Sequence, residues 1–179
     1  RYNLTRRALQ VLSECRWPVH VLTKSILIER DLDTIQQIND QSGAIVSFSF
    51  SSTNDELSAV FEPHVPAPSQ RLRTLALFKR KRIACGMFLL PVIPFISDTP
   101  EMIAEALRKA HEIGVDFVIF GGMTLKNGRQ KEHFLHFLKE RYSELLAKYS
   151  QIYSKGDVWG QATEEYYTTI NSIFNQVSK

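Results

Sequence analysis

The apolar positions along this chain switch repeatedly between two spacings. Leu4, Ala8, Leu9, Val11 and Leu12 recur at helical intervals in LTRRALQVLSEC, which predicts a first helix with Thr5 as its cap. Pro18 ends it, and the short apolar run of VHVLTK reads as a strand. DLDTIQQINDQ predicts a second helix, with Asp31 or Asp33 near its start and Gly43 closing it. AIVSFSF is the next strand. A polar loop with a short helical stretch follows, and FEPHVPAPSQR, with Pro63, Pro66 and Pro68, is expected to be extended and stiff. SQRLRTLALFKRKR is a helix and ACGMFLLPVI a strand. Thr99-Pro100-Glu101 starts another helix, with Gly114 past its end, and VDFVIFGGM is a fourth strand.

The order is therefore helix then strand, four times over. The strands are nearly continuous apolar runs, the pattern of a parallel sheet covered on both faces. That places the chain in the α/β class, with right-handed crossovers. Beyond Lys126 the rhythm changes. RQKEHFLHFLKERYSELLAKYSQIY predicts one long amphipathic helix carrying Phe134, Phe137, Leu138, Leu145, Leu146 and Tyr149 on one stripe. Gly156 is expected to break it, and TEEYYTTINSIFNQVSK forms a last amphipathic helix. The expected division is residues 1–126 as the α/β part and 127–179 as a helical extension.

Composition narrows the classes only slightly. The chain has 179 residues, enough for a sizeable core, and a formal net charge of +3, too small to name a partner. No apolar run reaches the roughly 18 residues of a membrane span, and no secretory leader is visible, so a cytoplasmic protein is expected. Cys15 and Cys85 lie far apart in sequence, without the spacing of a zinc site or disulfide framework. Both are read as small buried hydrophobes.

Candidate chemistry follows from topology. In parallel α/β sheets, ligands bind at the carboxyl ends of the strands. That rule selects Thr23-Lys24-Ser25, Ser49 to Ser52, Leu90 to Asp98, and Gly121 to Lys126. A lysine is a point charge for a carboxylate or phosphate. Serine hydroxyls suit a sugar, and paired glycines admit a ligand close to the backbone. Together they imply a small polar ligand with an anionic group.

The ordered segments TRRALQVL, PVHVLTKS, VSFSFSS, FEPHVPAPSQRL, GMFLLPVIPFISD and GVDFVIFGGMTLK resemble, over about residues 3 to 126, the later part of a radical S-adenosylmethionine core. The resemblance is to its spore photoproduct lyase-like branch, also described as DNA repair photolyase-like. It implies the later strands of a partial (β/α) TIM-type barrel. It also implies cofactor contacts: Lys24 to the carboxylate of S-adenosylmethionine, Ser49 to the ribose, and the backbone of Leu90 to the adenine. Glu62, Pro63 and Arg71 fit a loop that shapes the site wall. In that family a [4Fe-4S] cluster on a CxxxCxxC loop supports reductive cleavage to a 5′-deoxyadenosyl radical, which abstracts hydrogen from substrate. A nucleic acid is the substrate the branch suggests.

The chain departs from the family in one respect: it contains no CxxxCxxC loop, and Cys15 and Cys85 cannot replace it. Cluster ligands are therefore expected in a parent protein rather than here, no metal ligand is assigned, and the chain alone is expected to be inactive. The Ser49 to Glu62 spacing also differs slightly from the spore enzyme, so the substrate stays open. The competing reading is a non-catalytic α/β module that binds a nucleotide or a protein partner. Either way, an open sheet edge would allow self-association. Lys79, Arg80, Lys81 and Arg82 end a helix, where cations complement its dipole, and they are not read as a nucleic-acid patch. His20, His111, His133 and His136 have no defensible catalytic partner. The pair His133 and His136 is read as solvated or interfacial rather than metal-binding.

Overall fold

The computed structural model describes residues 3–154 and 158–178. Four strands, β1 (Val19–Thr23), β2 (Ala44–Phe50), β3 (Ala84–Val92) and β4 (Phe117–Gly122), form one parallel sheet in the order β1-β2-β3-β4. Strand order follows chain order, as in a barrel segment, without the reversal of a doubly wound sheet. The helices are α1 (Leu4–Glu14), α2 (Leu32–Ser42), α3 (Asp55–Phe61), α4 (Pro68–Arg80), α5 (Pro100–Ile113), α6 (Arg129–Arg141), α7 (Leu146–Ile152) and α8 (Glu164–Val177). The α/β class is as expected. No described helix is long and apolar enough to cross a membrane.

Several local expectations are corrected. Helix α1 starts one residue before Thr5; Asn3, in the left-handed region, is its N-cap and makes no side-chain cap bond. A 3-10 turn, Ile26–Asp31, precedes α2. The proline-rich stretch is not extended: it turns after α3, with His64 at φ 69°, and Pro68 opens α4, where its missing N–H costs nothing. The long C-terminal helix is two, α6 and α7, separated at Tyr142 (φ −145°, ψ 49°). The apolar stripe runs through that point without glycine or proline, and nothing in the local sequence explains the break. Gly156 lies outside the described residues. Gly43 does close α2: at φ 95° it takes the role glycine fills best, and its N–H reaches the carbonyls of Ile38 and Asn39.

Contacts divide the chain into two compact units, Arg1–Leu89 with Glu105–Ile119, and Leu90–Ala104 with Phe120–Lys179. The second unit joins the C-terminal helices to residues 90–104 and 120–126. In the first unit, Val46, Phe48 and Phe50 of β2 and Cys85 and Met87 of β3 are wholly buried on the face that α4 covers. The opposite face of β2 and β3 is only partly filled. There His20 Nε2 and Ser47 Oγ share a hydrogen bond at 2.8 Å, beside a group of Phe88 and Phe117 rings. Gly86 makes room for them, because a Cβ there would strike the Phe117 ring and the Ser47 hydroxyl. Full cover on both faces was expected of every strand, and β1 departs from it. Its residues alternate between half-buried and exposed, leaving Leu22 50% exposed, because β1 is an edge strand. The cysteines also differ from one another: Cys85 is buried inside β3 and Cys15 is exposed at the end of α1.

In the second unit, Leu138, Tyr149 and Ile170 form core positions, and Phe120 stacks on Phe174 at 4.6 Å. Three tyrosines there are buried with their hydroxyls used. Tyr149 donates to Pro94 C=O and Tyr153 to Met123 C=O, both at 2.8 Å. Tyr166 donates to the Asp98 carboxylate at 2.8 Å.

Candidate functional site

Lys24 is the first residue after β1, and Ser49 is the sixth residue of β2. The strand register pairs Thr23 with Phe48, so both lie toward the carboxyl ends of neighbouring parallel strands. A third element meets them. Ser58 and Glu62, four residues apart, belong to one face at the end of α3, and Arg71 projects from the first half of α4. Lys24 Nζ pairs with Glu62 Oε1. Arg71 Nη2 contacts Glu62 Oε2 at 3.0 Å and Ser58 Oγ at 3.1 Å, and Nη1 donates to Ser49 C=O at 2.6 Å. The Arg71 guanidinium also lies 4.9 Å from the Phe50 ring centroid.

Arg71 is fully buried, at 0% exposure. A buried cation is retained only when paired and hydrogen-bonded. Glu62, Ser58 and the Ser49 carbonyl do that, while Arg71 Nε has no hydrogen-bond partner among the described residues. Burial pushes the Glu62 carboxyl up, but Lys24 and Arg71 together outweigh it and hold Glu62 below its ordinary value. It is therefore ionised at neutral pH. Two cations and one anion leave the cluster with a net charge of +1. The Lys24 side chain, 39% exposed, is its accessible end. Such an arrangement can accept one further anionic group without an unpaired charge remaining.

The sequence-predicted residues Lys24, Ser49, Glu62 and Arg71 thus meet in one unit. Leu90, the seventh residue of β3, belongs to the other unit. Pro63 is exposed in the turn after α3. Ser58 escaped notice in the sequence, although its i,i+4 spacing from Glu62 was a usable signal. His20 also has a partner that was not foreseen, Ser47. Lys79 pairs with Asp116 at 2.8 Å. His136 lies 3.4 Å from Glu140, both on the exposed side of α6.

The donor set bears on which groups this chain can hold. An iron–sulfur cluster does not fit the cysteines present. Burial pushes the Cys85 thiol up to about 12, and it contacts the carbonyls of Leu75 and Ile83. Cys15 is exposed and remote in sequence. Among the described residues no group of three His, Cys, Asp or Glu side chains could hold a metal ion.

No family model matches the chain. Uncharacterized proteins of Mycobacterium bovis and Mycobacterium tuberculosis are each 27% identical to it over 156 residues, covering 87% of this chain and 46% of the relative. An uncharacterized protein of Acidianus two-tailed virus is 26% identical over 165 residues, covering 83% of this chain and 54% of the relative. The chain thus spans about half the length of these relatives. Among solved structures it is similar to spore photoproduct lyase. One such structure, with bound AdoMet and dinucleoside spore photoproduct, gives a TM-score of 0.63 at 14% identity, covering 97% of this chain and 51% of the other. A second, complexed with dinucleoside spore photoproduct, gives 0.61 over the same shares. The fold of this chain therefore matches about half the length of spore photoproduct lyase.

Proposed function

We propose that this chain is the cofactor-holding part of a radical S-adenosylmethionine enzyme of the spore photoproduct lyase kind, acting on a nucleic acid. The observation that carries the reading is the Lys24–Glu62–Arg71 cluster at the carboxyl ends of β1 and β2, with its net charge of +1. The likeness to a lyase that binds AdoMet and a dinucleoside supports it.

In this reading Lys24 holds the cofactor carboxylate, and Glu62 faces the adjacent ammonium. Arg71 is a positioning residue: it fixes Glu62 and anchors the Ser49 end of β2 through the carbonyl. Ser49 faces the ribose. S-adenosylmethionine, when bound, would supply the 5′-deoxyadenosyl group for hydrogen abstraction. Ligands for an iron–sulfur cluster would come from elsewhere in a longer polypeptide, since the cysteines here do not fit one.

Calorimetric titration with S-adenosylmethionine tests the assignment. Lys24→Ala is expected to lower affinity by about tenfold or more, the worth of one charge-assisted contact. Lys24→Arg should recover part of it. Equal affinity in wild type and Lys24→Ala overturns the assignment. Anaerobic incubation of the longer polypeptide with S-adenosylmethionine, with and without damaged DNA, then separates the two readings. 5′-Deoxyadenosine release supports the enzyme, and binding without release favours a non-catalytic module.

A further inference from the structure

Residues 158–160 lie against the segment that follows β4. The Leu125 N–H donates to the Gly160 carbonyl at 2.6 Å. Gly160, at φ 68°, has the Leu125 and Lys126 backbone where a Cβ would sit, so only glycine fits this approach. The contact fixes the turn but leaves its apolar side chains outside: Val158 is 71% exposed and Trp159 68%. A tryptophan held in water by a backbone clamp is unusual, because its large apolar area is normally covered. Lys126 Nζ lies 5.2 Å from the Trp159 ring centroid. Lys126, Arg129 and Lys131 fall within six residues that contain no acidic side chain, and Lys126 and Arg129 are exposed.

We propose that Trp159, with Val158 beside it, is a stacking platform for an unpaired nucleobase of a single-stranded or locally opened nucleic acid. Lys126 and Arg129 meet the neighbouring phosphates. Every base offers a π-face, so an exposed indole binds without regard to sequence, and lysines beside it follow the backbone. Charge complementarity selects this occupant. The flanking cations suit a polyanion, whereas two apolar residues among Asn127, Gln130 and Gln161 fall far short of the apolar face that an interfacial segment buries in a membrane. The platform deepens the nucleic-acid half of the proposed function. Its test requires neither S-adenosylmethionine nor a cluster, so its failure would leave the Lys24 assignment standing, and the reverse holds too.

The chain carries two tryptophans, so Trp17→Phe makes Trp159 the sole indole reporter. Titrating that variant with a ten-residue oligothymidylate at low salt is expected to quench Trp159 emission saturably. In anisotropy with the same labelled oligonucleotide, Trp159→Ala should lose about tenfold in affinity and Trp159→Phe about threefold or less. Lys126→Ala should weaken binding and lower the log–log salt slope by about one. These positions are exposed, so melting temperatures should stay at the wild-type value, which separates lost binding from lost folding. Absence of oligonucleotide binding, or equal affinity in Trp159→Ala, overturns the proposal. So does a Trp159 blue shift on phosphatidylserine vesicles without a response to oligonucleotide.

Discussion

Two carboxylates, one in each unit, are both largely shielded from solvent yet behave in opposite ways. The Glu62 side chain is 9% exposed, and its carboxyl is held below the ordinary value. Asp98 is 7% exposed; burial raises its carboxyl, and the hydrogen bonds from Tyr166 and nearby backbone N–H groups only partly offset that. Burial alone would raise both. The partner decides: Glu62 faces two cations and Asp98 a phenol. The first arrangement keeps charge available for a ligand. The second holds a loop in place. Around Asp98, Phe95 sits at φ 62°, a costly conformation for a large side chain, and its ring contacts Tyr149 and Tyr166. Ser97 Oγ accepts from Ile93 N–H at 2.7 Å, and Tyr149 bonds the Pro94 carbonyl.

If that contrast is right, removing the charge partner must cost more than removing the neutral one. Arg71→Met leaves Glu62 with one cation and strips partners from Ser58 and the Ser49 carbonyl. A loss of about 3–5 kcal/mol in urea unfolding is expected. A loss below about 1 kcal/mol would mean that Arg71 contributes packing alone. Tyr166→Phe removes one buried hydrogen bond to a carboxyl, which should cost about 1.5–3 kcal/mol. Wild-type stability in Tyr166→Phe would remove Asp98 from the account of the loop.

Much of the first unit was legible in the sequence because parallel strands are apolar runs, and the polar residues that follow them mark their carboxyl ends. Lys24 stood out as a cation closing such a run. Its partner did not, since 38 residues separate it from Glu62 and no local pattern encodes a contact at that range. The exposure of Leu22 was hidden for a related reason. An edge strand and a central strand share an apolar composition, and only the neighbours distinguish them. In the second unit the helical stripe that includes Tyr149 announced burial, and Tyr166 falls in the last amphipathic helix. Where their hydroxyls would go, 55 and 68 residues away, was not encoded locally. Trp159 lay outside every periodic segment. Its significance came from Gly160, whose positive φ and backbone contact are properties of the folded chain.

The smallest expected effect is a slope. An ionised Glu62 stabilises the fold above its ordinary value of 4.5, and that contribution is lost as pH falls through its lower folded value. Asp98 works the other way. With a folded value above the ordinary 3.8, the native state binds its proton more tightly than the unfolded chain does. Its contribution is complete below pH 3.8 and is lost as pH rises through the folded value. Asp98→Asn keeps an oxygen for the Tyr166 hydroxyl and removes the proton. Its stability relative to wild type should therefore rise with pH from about 4 upward and then level off, by no more than about 1.4 kcal/mol per pH unit. Urea melts of both proteins across pH 4 to 8 measure this directly. A difference that stays constant across that range would show that Asp98 titrates alike in both states, and the contrast with Glu62 would then rest on the cations alone.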